Sequence, residues 1–173
     1  KLAASENPLD PASYRRYTLT DYAPYRMFEE IQTFVSENRQ RPFFLYWATP
    51  IPHVPLQAPR RWVEHYAGKF GEEAPYWGQN GYFPQRYPHA AYAAMVSLLD
   101  EQVGLLVAQL KRLGLYENTV IVFTSDNGPT FNGGSDSVWF ESGGPFPVQK
   151  GRGKGSLHEG GIRVPLIAVW PGR

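Results

Sequence analysis

The sequence has no cysteine and only two methionines among its 173 residues. Without thiols, these residues hold no disulfide framework, no thiolate metal site and no cysteine nucleophile. The cellular compartment is therefore not marked by redox chemistry. Any catalytic or metal-binding group must come from oxygen and nitrogen side chains.

The sequence also lacks a charge excess and a long apolar run. Seventeen basic and 16 acidic residues give a net charge of +1. Nucleic acids and anionic membrane surfaces are recognised by a concentrated basic field, so we expect neither as a partner. No uninterrupted apolar run reaches the length that crosses a bilayer, so no membrane span is expected.

Proline, glycine and aromatic residues are plentiful. There are 16 prolines and 17 glycines, and 15% of the residues are aromatic. This composition indicates long structured loops around one domain with a sizeable core. The opening stretch, KLAASENPLDPASYRRY, shows no initiator methionine and no signal-peptide pattern. Together with the end at VWPGR, this leads us to expect a piece of a longer chain.

The periodicity of apolar residues predicts helices and strands in alternation. Helices are predicted over 21–38, within 59–70 and over 89–115. In the last of these, apolar residues recur every three or four positions, at Tyr92, Val96, Leu99, Val103, Leu106, Leu110 and Leu113. Strands are predicted over 41–49, 119–125 and 163–170, the first as a strand buried on both faces. This order predicts an α/β fold with a largely parallel central sheet flanked by helices.

The stretch FTSDNG places polar residues directly after a predicted strand. Asp126 and Asn127 offer carboxylate and amide oxygens, which Ca²⁺ and Mg²⁺ prefer, and Gly128 would let the backbone turn around them. Ligand sites in open α/β sheets lie beyond the carboxyl ends of the strands. An ordinary turn closed by Asx side chains is the alternative.

A basic, glycine-rich stretch, KGRGKGSLHEGG, occupies residues 150–161. Its cations, among them Lys154, could meet an anion together with backbone N–H groups. It is not a P-loop, because Lys154 is followed by glycine rather than serine or threonine. A solvated basic loop is the alternative. In the overlapping stretch HEGGIRVP, Glu159 and Arg163 flank a glycine pair and are expected to form a structural, charge-assisted contact.

His53 lies between prolines in TPIPHVPLQAP. It follows a predicted strand, so on a parallel sheet it would lie at the same edge as Asp126. A histidine held there suits a hydrogen bond to an oxyanion or a leaving-group oxygen. The alternative is a histidine that bonds only to a loop carbonyl.

The segment 71–88 is rich in aromatic residues and turn formers. Its aromatics could form a stacking platform for a sugar or aryl group, or a small core under a long loop. They are Tyr76, Trp77, Tyr82, Phe83 and Tyr87.

Three segments, taken in their order, resemble the sulfatase family of the alkaline-phosphatase-like superfamily. They are FFLYWATPIPHVPLQAP, LLDEQVGLLVAQLKRLGLYENTVIVFTSDNGP and GKGSLHEGGIRVPLIAVWPG. The resemblance implies that Asp126 and Asn127 bind a divalent metal, usually Ca²⁺, with Mg²⁺ possible. It implies that Lys154 contacts the substrate sulfate and that His53 lies near the sulfate and the ester oxygen. It assigns no role to His158.

The family hydrolyses sulfate esters with a formylglycine made in a Cys/Ser-x-Pro-x-Arg motif, and that motif is absent here. We therefore expect residues 1–173 to be part of a sulfatase catalytic domain, incomplete at both ends and inactive alone. The nucleophile and further metal ligands would lie upstream of Lys1. The expected partner is a sulfate-ester small molecule or a sulfated glycan, and the family suggests a periplasmic or secreted location.

The sequence leaves three other functional interpretations open. One is a phosphatase, phosphodiesterase or phosphotransferase of the same superfamily, since sulfate and phosphate are both tetrahedral oxyanions. Another is a non-catalytic homologue that binds sulfated glycans. The last is a structural domain in which SDNG is only a turn.

Overall fold

A computed structural model describes residues 1–18 and 20–172. Its helices are α1 (Ala23–Glu37), α2 (Arg60–Tyr66), α3 (Pro88–Arg112) and the single turn α4 (Glu159–Ile162). Its strands are β1 (Ile121–Thr124) and β2 (Leu166–Val169), and short 3-10 turns cover Pro11–Tyr17 and Tyr116–Asn118. The three helices predicted in 21–38, 59–70 and 89–115 are confirmed.

The core forms where α3 meets α2 and the segment that follows residue 50. Its buried members are Ile51, Val54, Leu56, Ala91, Met95 and Leu98. The buried side of α3 is therefore centred one position before the predicted stripe. Of that stripe, Tyr92 and Leu99 pack against the core and Leu110 is buried, whereas Val96 is 43% exposed. Ala91 and Ala94 are fully buried because their small side chains allow close approach of the neighbouring segments.

Buried amides attach α1 to α3. The side chain of Gln102 donates to the Pro24 carbonyl at 3.0 Å, and that of Gln109 donates to the Gln32 carbonyl at 2.7 Å. The N-terminus of α3 is capped by a residue distant in sequence. The Glu73 carboxylate accepts a hydrogen bond from the His89 N–H at 2.6 Å. An acidic group at a helix N-terminus satisfies an otherwise unpaired donor and complements the helix dipole.

The sheet differs from the prediction. Strands β1 and β2 are antiparallel, with Ile121 opposite Val169 and Thr124 opposite Leu166. No parallel pair is found in the part of the chain that the structure describes. The reason is that the chain leaving Thr124 folds back and returns to Leu166 at the same edge. Both strands are also shorter than predicted.

Residues 41–49 form no strand, which corrects a further prediction. Their exposure nevertheless alternates as in a strand with one covered face. Phe43 and Trp47 pack their rings on α1, whereas Phe44 and Tyr46 are 87% and 80% exposed. The apolar run is therefore covered on one face only, and within the described residues it has no strand partner.

Helix α3 is long and apolar enough to cross a membrane by length and composition alone. That qualifies the expectation of no membrane span. However, Met95 and Leu98 pack in the core, and Gln102 and Gln109 are buried with hydrogen bonds to α1. These contacts are those of a core helix.

Candidate functional site

The loop after β1 presents oxygen atoms at the end of the strand. Ser125 Oγ donates to the Asn127 carbonyl at 2.9 Å, and Asn127 Nδ2 donates to the Gly128 carbonyl at 2.8 Å. The Asp126 side chain is exposed and has no hydrogen bond or ion pair within the described residues. Both carboxylate oxygens of Asp126 and the Oδ1 atom of Asn127 are therefore available to a ligand.

Gly128 is needed for a close backbone approach. Its N–H donates to the Gly161 carbonyl at 2.9 Å. A Cβ at this position would lie 1.9 Å from the Gly160 carbonyl oxygen, which no side chain can tolerate. Gly128 does not have a positive φ, so the turn predicted for it is not the reason for glycine here. In the sequence, the adjacent glycines Gly160 and Gly161 mark this contact, although nothing near them identifies Gly128 as their partner.

Lys154 lies beside the same loop. Its backbone N–H donates to the Pro129 carbonyl at 2.9 Å. Gly153, which precedes it, is buried against the same carbonyl. The Lys154 side chain is exposed and forms no ion pair within residues 1–18 and 20–172. The structure thus brings the backbone of the basic stretch against the loop that carries Asp126 and Asn127.

His53 is positioned through its neighbour Val54, which contacts the loop after β1 at Gly133. Its Nδ1 lies 2.6 Å from the Val54 carbonyl. A carbonyl can only accept, so Nδ1 carries the hydrogen and Nε2 is the free ring nitrogen. Val54 packs on Gly133, where a Cβ would lie 2.7 Å from Val54 Cγ1.

The loop from Gly128 to Gly133 thus touches both the Lys154 segment and the His53 segment. The hydrogen bond to a loop carbonyl, which was the alternative interpretation of His53, is present. Among the described residues, no side-chain hydrogen bond joins His53 to Asp126, Asn127 or Lys154. The shared loop is what connects the four predicted site residues.

The metal-binding capacity of these residues is partial. Within the described residues there is no cluster of three or more His, Asp or Glu side chains that could hold a metal ion. Asp126 and Asn127 offer hard oxygen donors of the type that Ca²⁺ binds, but Ca²⁺ takes about six to eight oxygens. The donor chemistry fits a divalent cation, and the number of donors requires further ligands.

The predicted contact between Glu159 and Arg163 is present as an ion pair within and just after α4. The Arg163 guanidinium also lies 5.0 Å from the centroid of the Phe146 ring. Both charged side chains are more than half exposed, so the pair contributes little to stability. The His158 carbonyl accepts from the Gly161 N–H at 2.8 Å, which is a backbone role.

The aromatic residues of 71–88 do not form one platform. Tyr76 is only 5% exposed, whereas Trp77, Tyr82 and Phe83 are each 44% exposed. Phe83 packs on Tyr17, with 5.6 Å between ring centroids. Tyr82 packs on His53, with a centroid distance of 6.3 Å.

Comparison with known proteins gives a consistent match. The family model described as Sulfatase matches residues 3–173. N-acetylgalactosamine-6-sulfatase of Mus musculus is 33% identical over 160 residues, which cover 89% of this chain and 24% of that protein. N-acetylgalactosamine-6-O-sulfatase of Bacteroides thetaiotaomicron is 33% identical over 146 residues, covering 82% of this chain and 24% of that protein.

A solved structure agrees with these sequence matches. The crystal structure of Ps i-CgsB in complex with k-i-k-neocarrahexaose is 33% identical and superposes with a TM-score of 0.68. The superposition covers 89% of this chain and 29% of that chain. The chain spans about a quarter of the length of the relatives it matches. The chain belongs to the sulfatase family, whose fold is of the alkaline-phosphatase-like superfamily.

Proposed function

We propose that this chain is part of a sulfuric-ester hydrolase and supplies metal-binding and sulfate-binding residues to its active site. Residues 1–173 would then be an inner part of the catalytic domain. This part would be inactive without the segments on either side of it. The observation that carries the proposal is the hydrogen bond from the Lys154 N–H to the Pro129 carbonyl. It holds the backbone of Lys154, whose side chain forms no ion pair within the described residues, against the loop with the oxygen donors of Asp126 and Asn127.

Asp126 and Asn127 would bind a divalent cation, with Ca²⁺ as the first candidate and Mg²⁺ as the second. Their hard oxygen atoms support this role, and the remaining ligands would come from outside these residues. When bound, the cation would offset negative charge on the sulfuryl oxygens. The formylglycine nucleophile would also lie outside this chain.

Lys154 would bind a sulfate oxygen through its ammonium group. A lysine without an internal ion pair keeps its charge available for an anionic substrate. His53 would face the ester through Nε2, because Nδ1 is occupied by the Val54 carbonyl. With Nδ1 already protonated, Nε2 donates a hydrogen bond to the leaving-group oxygen only when the ring carries both protons.

The proposed substrate is a sulfate ester on a glycan or a small molecule. Two relatives are named as sulfatases of N-acetylgalactosamine, and the structural neighbour holds a carrageenan-type oligosaccharide. These names support a sulfated glycan as the first candidate. We propose a periplasmic or secreted location for the same reason, since such glycans lie outside the cytoplasm.

The test is hydrolysis of 4-nitrophenyl sulfate and 4-nitrophenyl phosphate by the full-length protein. We expect turnover of the sulfate, and a drop in kcat of about a hundredfold in Lys154→Ala, the usual size for loss of one oxyanion-stabilising donor. Lys150→Ala is the matched control, because Lys150 is exposed in the same basic stretch. It should retain activity within about twofold.

Three results would contradict the proposal. Faster turnover of the phosphate would indicate a phosphatase of the same superfamily. Binding of sulfated glycan with no turnover of either ester would indicate a non-catalytic homologue. Equal losses in Lys154→Ala and Lys150→Ala would show that the basic stretch acts only through its overall charge.

A further inference from the structure

The loop between Tyr76 and Gln85 is held in one position beside His53. Tyr76 and Gln85 close it with a pair of backbone hydrogen bonds of 2.9 and 2.7 Å. Inside the loop, the Tyr76 hydroxyl donates to the Gly81 carbonyl. Gln85 Nε2 donates to the Leu56 carbonyl at 2.7 Å, which ties the loop to the segment that carries His53. The loop therefore has little freedom to move away from that histidine.

Tyr82 lies in this loop with an unfavourable backbone conformation. Its φ is +64°, a region that bulky residues seldom occupy. Such conformations persist where the surrounding structure enforces them, and they are concentrated at binding and catalytic sites. The hydrogen bonds that close the loop supply that enforcement here. A glycine at this position would adopt the same backbone at no cost, so any advantage of tyrosine here must come from its side chain.

The ring of Tyr82 is directed to the candidate site. It meets the His53 ring edge to face, at an interplanar angle of 72°. The absence of a side chain at Gly133 makes room for it, because a Cβ there would lie 3.0 Å from Tyr82 Cδ2. Tyr82 as a whole residue is nevertheless 44% exposed, and its hydroxyl has no hydrogen bond within the described residues. An aromatic face and a free hydroxyl are thus presented next to the proposed sulfate site.

We propose that Tyr82 is a substrate-positioning residue that stacks on the sugar ring carrying the sulfate ester. An exposed aromatic face suits the apolar C–H face of a pyranose, while its hydroxyl can bond a sugar hydroxyl. This inference rests on the proposed function, because it takes His53 to mark the sulfate position. It adds a determinant for the glycan part of the substrate that is separate from the sulfate contacts.

Phe83 and Trp77 are aromatic residues of the same loop, and Phe83 serves as the internal control. Each is 44% exposed, as Tyr82 is. Phe83, however, packs on the ring of Tyr17. The Lys1 ammonium lies over Trp77, 5.3 Å from the centroid of the Trp77 ring. Neither ring contacts His53 among the described residues. A general role of exposed aromatics would therefore affect all three positions, whereas the proposed role affects Tyr82 alone.

The experiment compares the full-length protein with its Tyr82→Gly, Tyr82→Phe and Phe83→Ala variants. The ligands are a disaccharide with a 6-sulfated N-acetylgalactosamine and inorganic sulfate. For proteins that release sulfate from the disaccharide, binding is measured as KM. For proteins that do not release sulfate, it is measured as Kd. Tyr82→Gly should weaken disaccharide binding about tenfold, the scale of a lost aromatic contact. It should leave inorganic sulfate inhibition or binding within twofold.

Thermal unfolding separates positioning from structural support. Tyr82→Gly relieves the positive φ, so its Tm should stay equal or rise while disaccharide binding falls. Tyr82→Phe should retain most of the affinity, and Phe83→Ala should match the wild type. Equal weakening of both ligands, a lowered Tm in step with affinity, or unchanged disaccharide binding would each overturn the proposal. Wild-type binding without sulfate release would instead contradict the hydrolase function and leave the Tyr82 test valid.

Discussion

The helical part of the molecule and the part that follows β1 are held together in different ways. Helices α1 and α3 each bury one side in the core, where Val35, Ala91 and Leu98 have no measurable exposure. Around β1 and β2 the side chains are largely exposed, and all four residues of β2 are exposed. There the packing is between backbones, at contacts such as Gly128 with Gly160.

This difference separates stability from function. All the metal and sulfate candidates except His53 lie in the part after β1, whose shape depends on close backbone contacts. Substitutions in the helical core should therefore lower the free energy of unfolding. Substitutions at the glycine contacts should displace the candidate ligands and lower activity more than stability. The following predictions compare the two parts, and each is to be measured on the full-length protein.

The largest effect is expected for Leu98→Ala. Leu98 is fully buried in the core on α3, so the change removes apolar contacts and leaves a cavity. The expected loss is about 2–5 kcal/mol in the free energy of unfolding, measured by urea denaturation. Leu105→Ala on the same helix is the control, because Leu105 is 49% exposed and should cost less than about 1 kcal/mol. Equal losses would mean that α3 presents a different face to the core.

Gly128→Ala should act mainly on activity. The added Cβ cannot lie 1.9 Å from the Gly160 oxygen, so one of the two backbones must move. Displacement of catalytic groups by about 1 Å can cost about a hundredfold in rate. We therefore expect kcat/KM on 4-nitrophenyl sulfate to fall by about this factor. Unchanged kinetics would show that the contact between the two segments does not position the site.

Gly104→Ala should have the smallest effect, and it should raise rather than lower the free energy of unfolding. Gly104 is exposed in the middle of α3, and a Cβ there meets nothing within 4 Å. Alanine is a better helix former than glycine, so stability should rise by up to about 1 kcal/mol with activity unchanged. This variant is the matched control for Gly128→Ala, since both replace glycine by alanine. Destabilisation by Gly104→Ala would point to an unrecognised contact on α3.

The sequence was a good guide to the helices and a poor guide to the sheet. Helical periodicity and the prolines near the helix starts are local signals, so α1, α2 and α3 were predictable. The stripe predicted on α3 lies at the edge of the buried side, because Tyr92 and Leu99 flank a core whose α3 members are Ala91, Met95 and Leu98. Strand direction depends on where a distant segment returns, and nothing near residue 124 encodes that return to residue 166.

The candidate residues could be named from the sequence, but their arrangement could not. Asp126, Asn127, Lys154 and His53 followed from residue chemistry and from the family resemblance. Their common attachment to the loop after β1 rests on carbonyl contacts of Pro129 and on the space at Gly133. Such backbone contacts carry no side-chain pattern. The density of glycines indicates that such contacts exist, but it does not indicate which two segments form them.

Asp126 is proposed to belong to a divalent metal site that serves sulfate hydrolysis. The most direct measurement is a calcium titration of 4-nitrophenyl sulfate hydrolysis by chelator-treated full-length protein, with Asp126→Ala and Asp136→Ala beside the wild type. Asp136 is the control, because its carboxylate lies farther along the same connection and contacts His89 at 3.3 Å. We predict that Asp126→Ala raises the calcium concentration for half-maximal activity at least about tenfold, because loss of even an outer-shell partner of a metal ligand costs about 10–100-fold in affinity. Asp136→Ala should match the wild type. Identical calcium dependence in Asp126→Ala and the wild type would contradict the account.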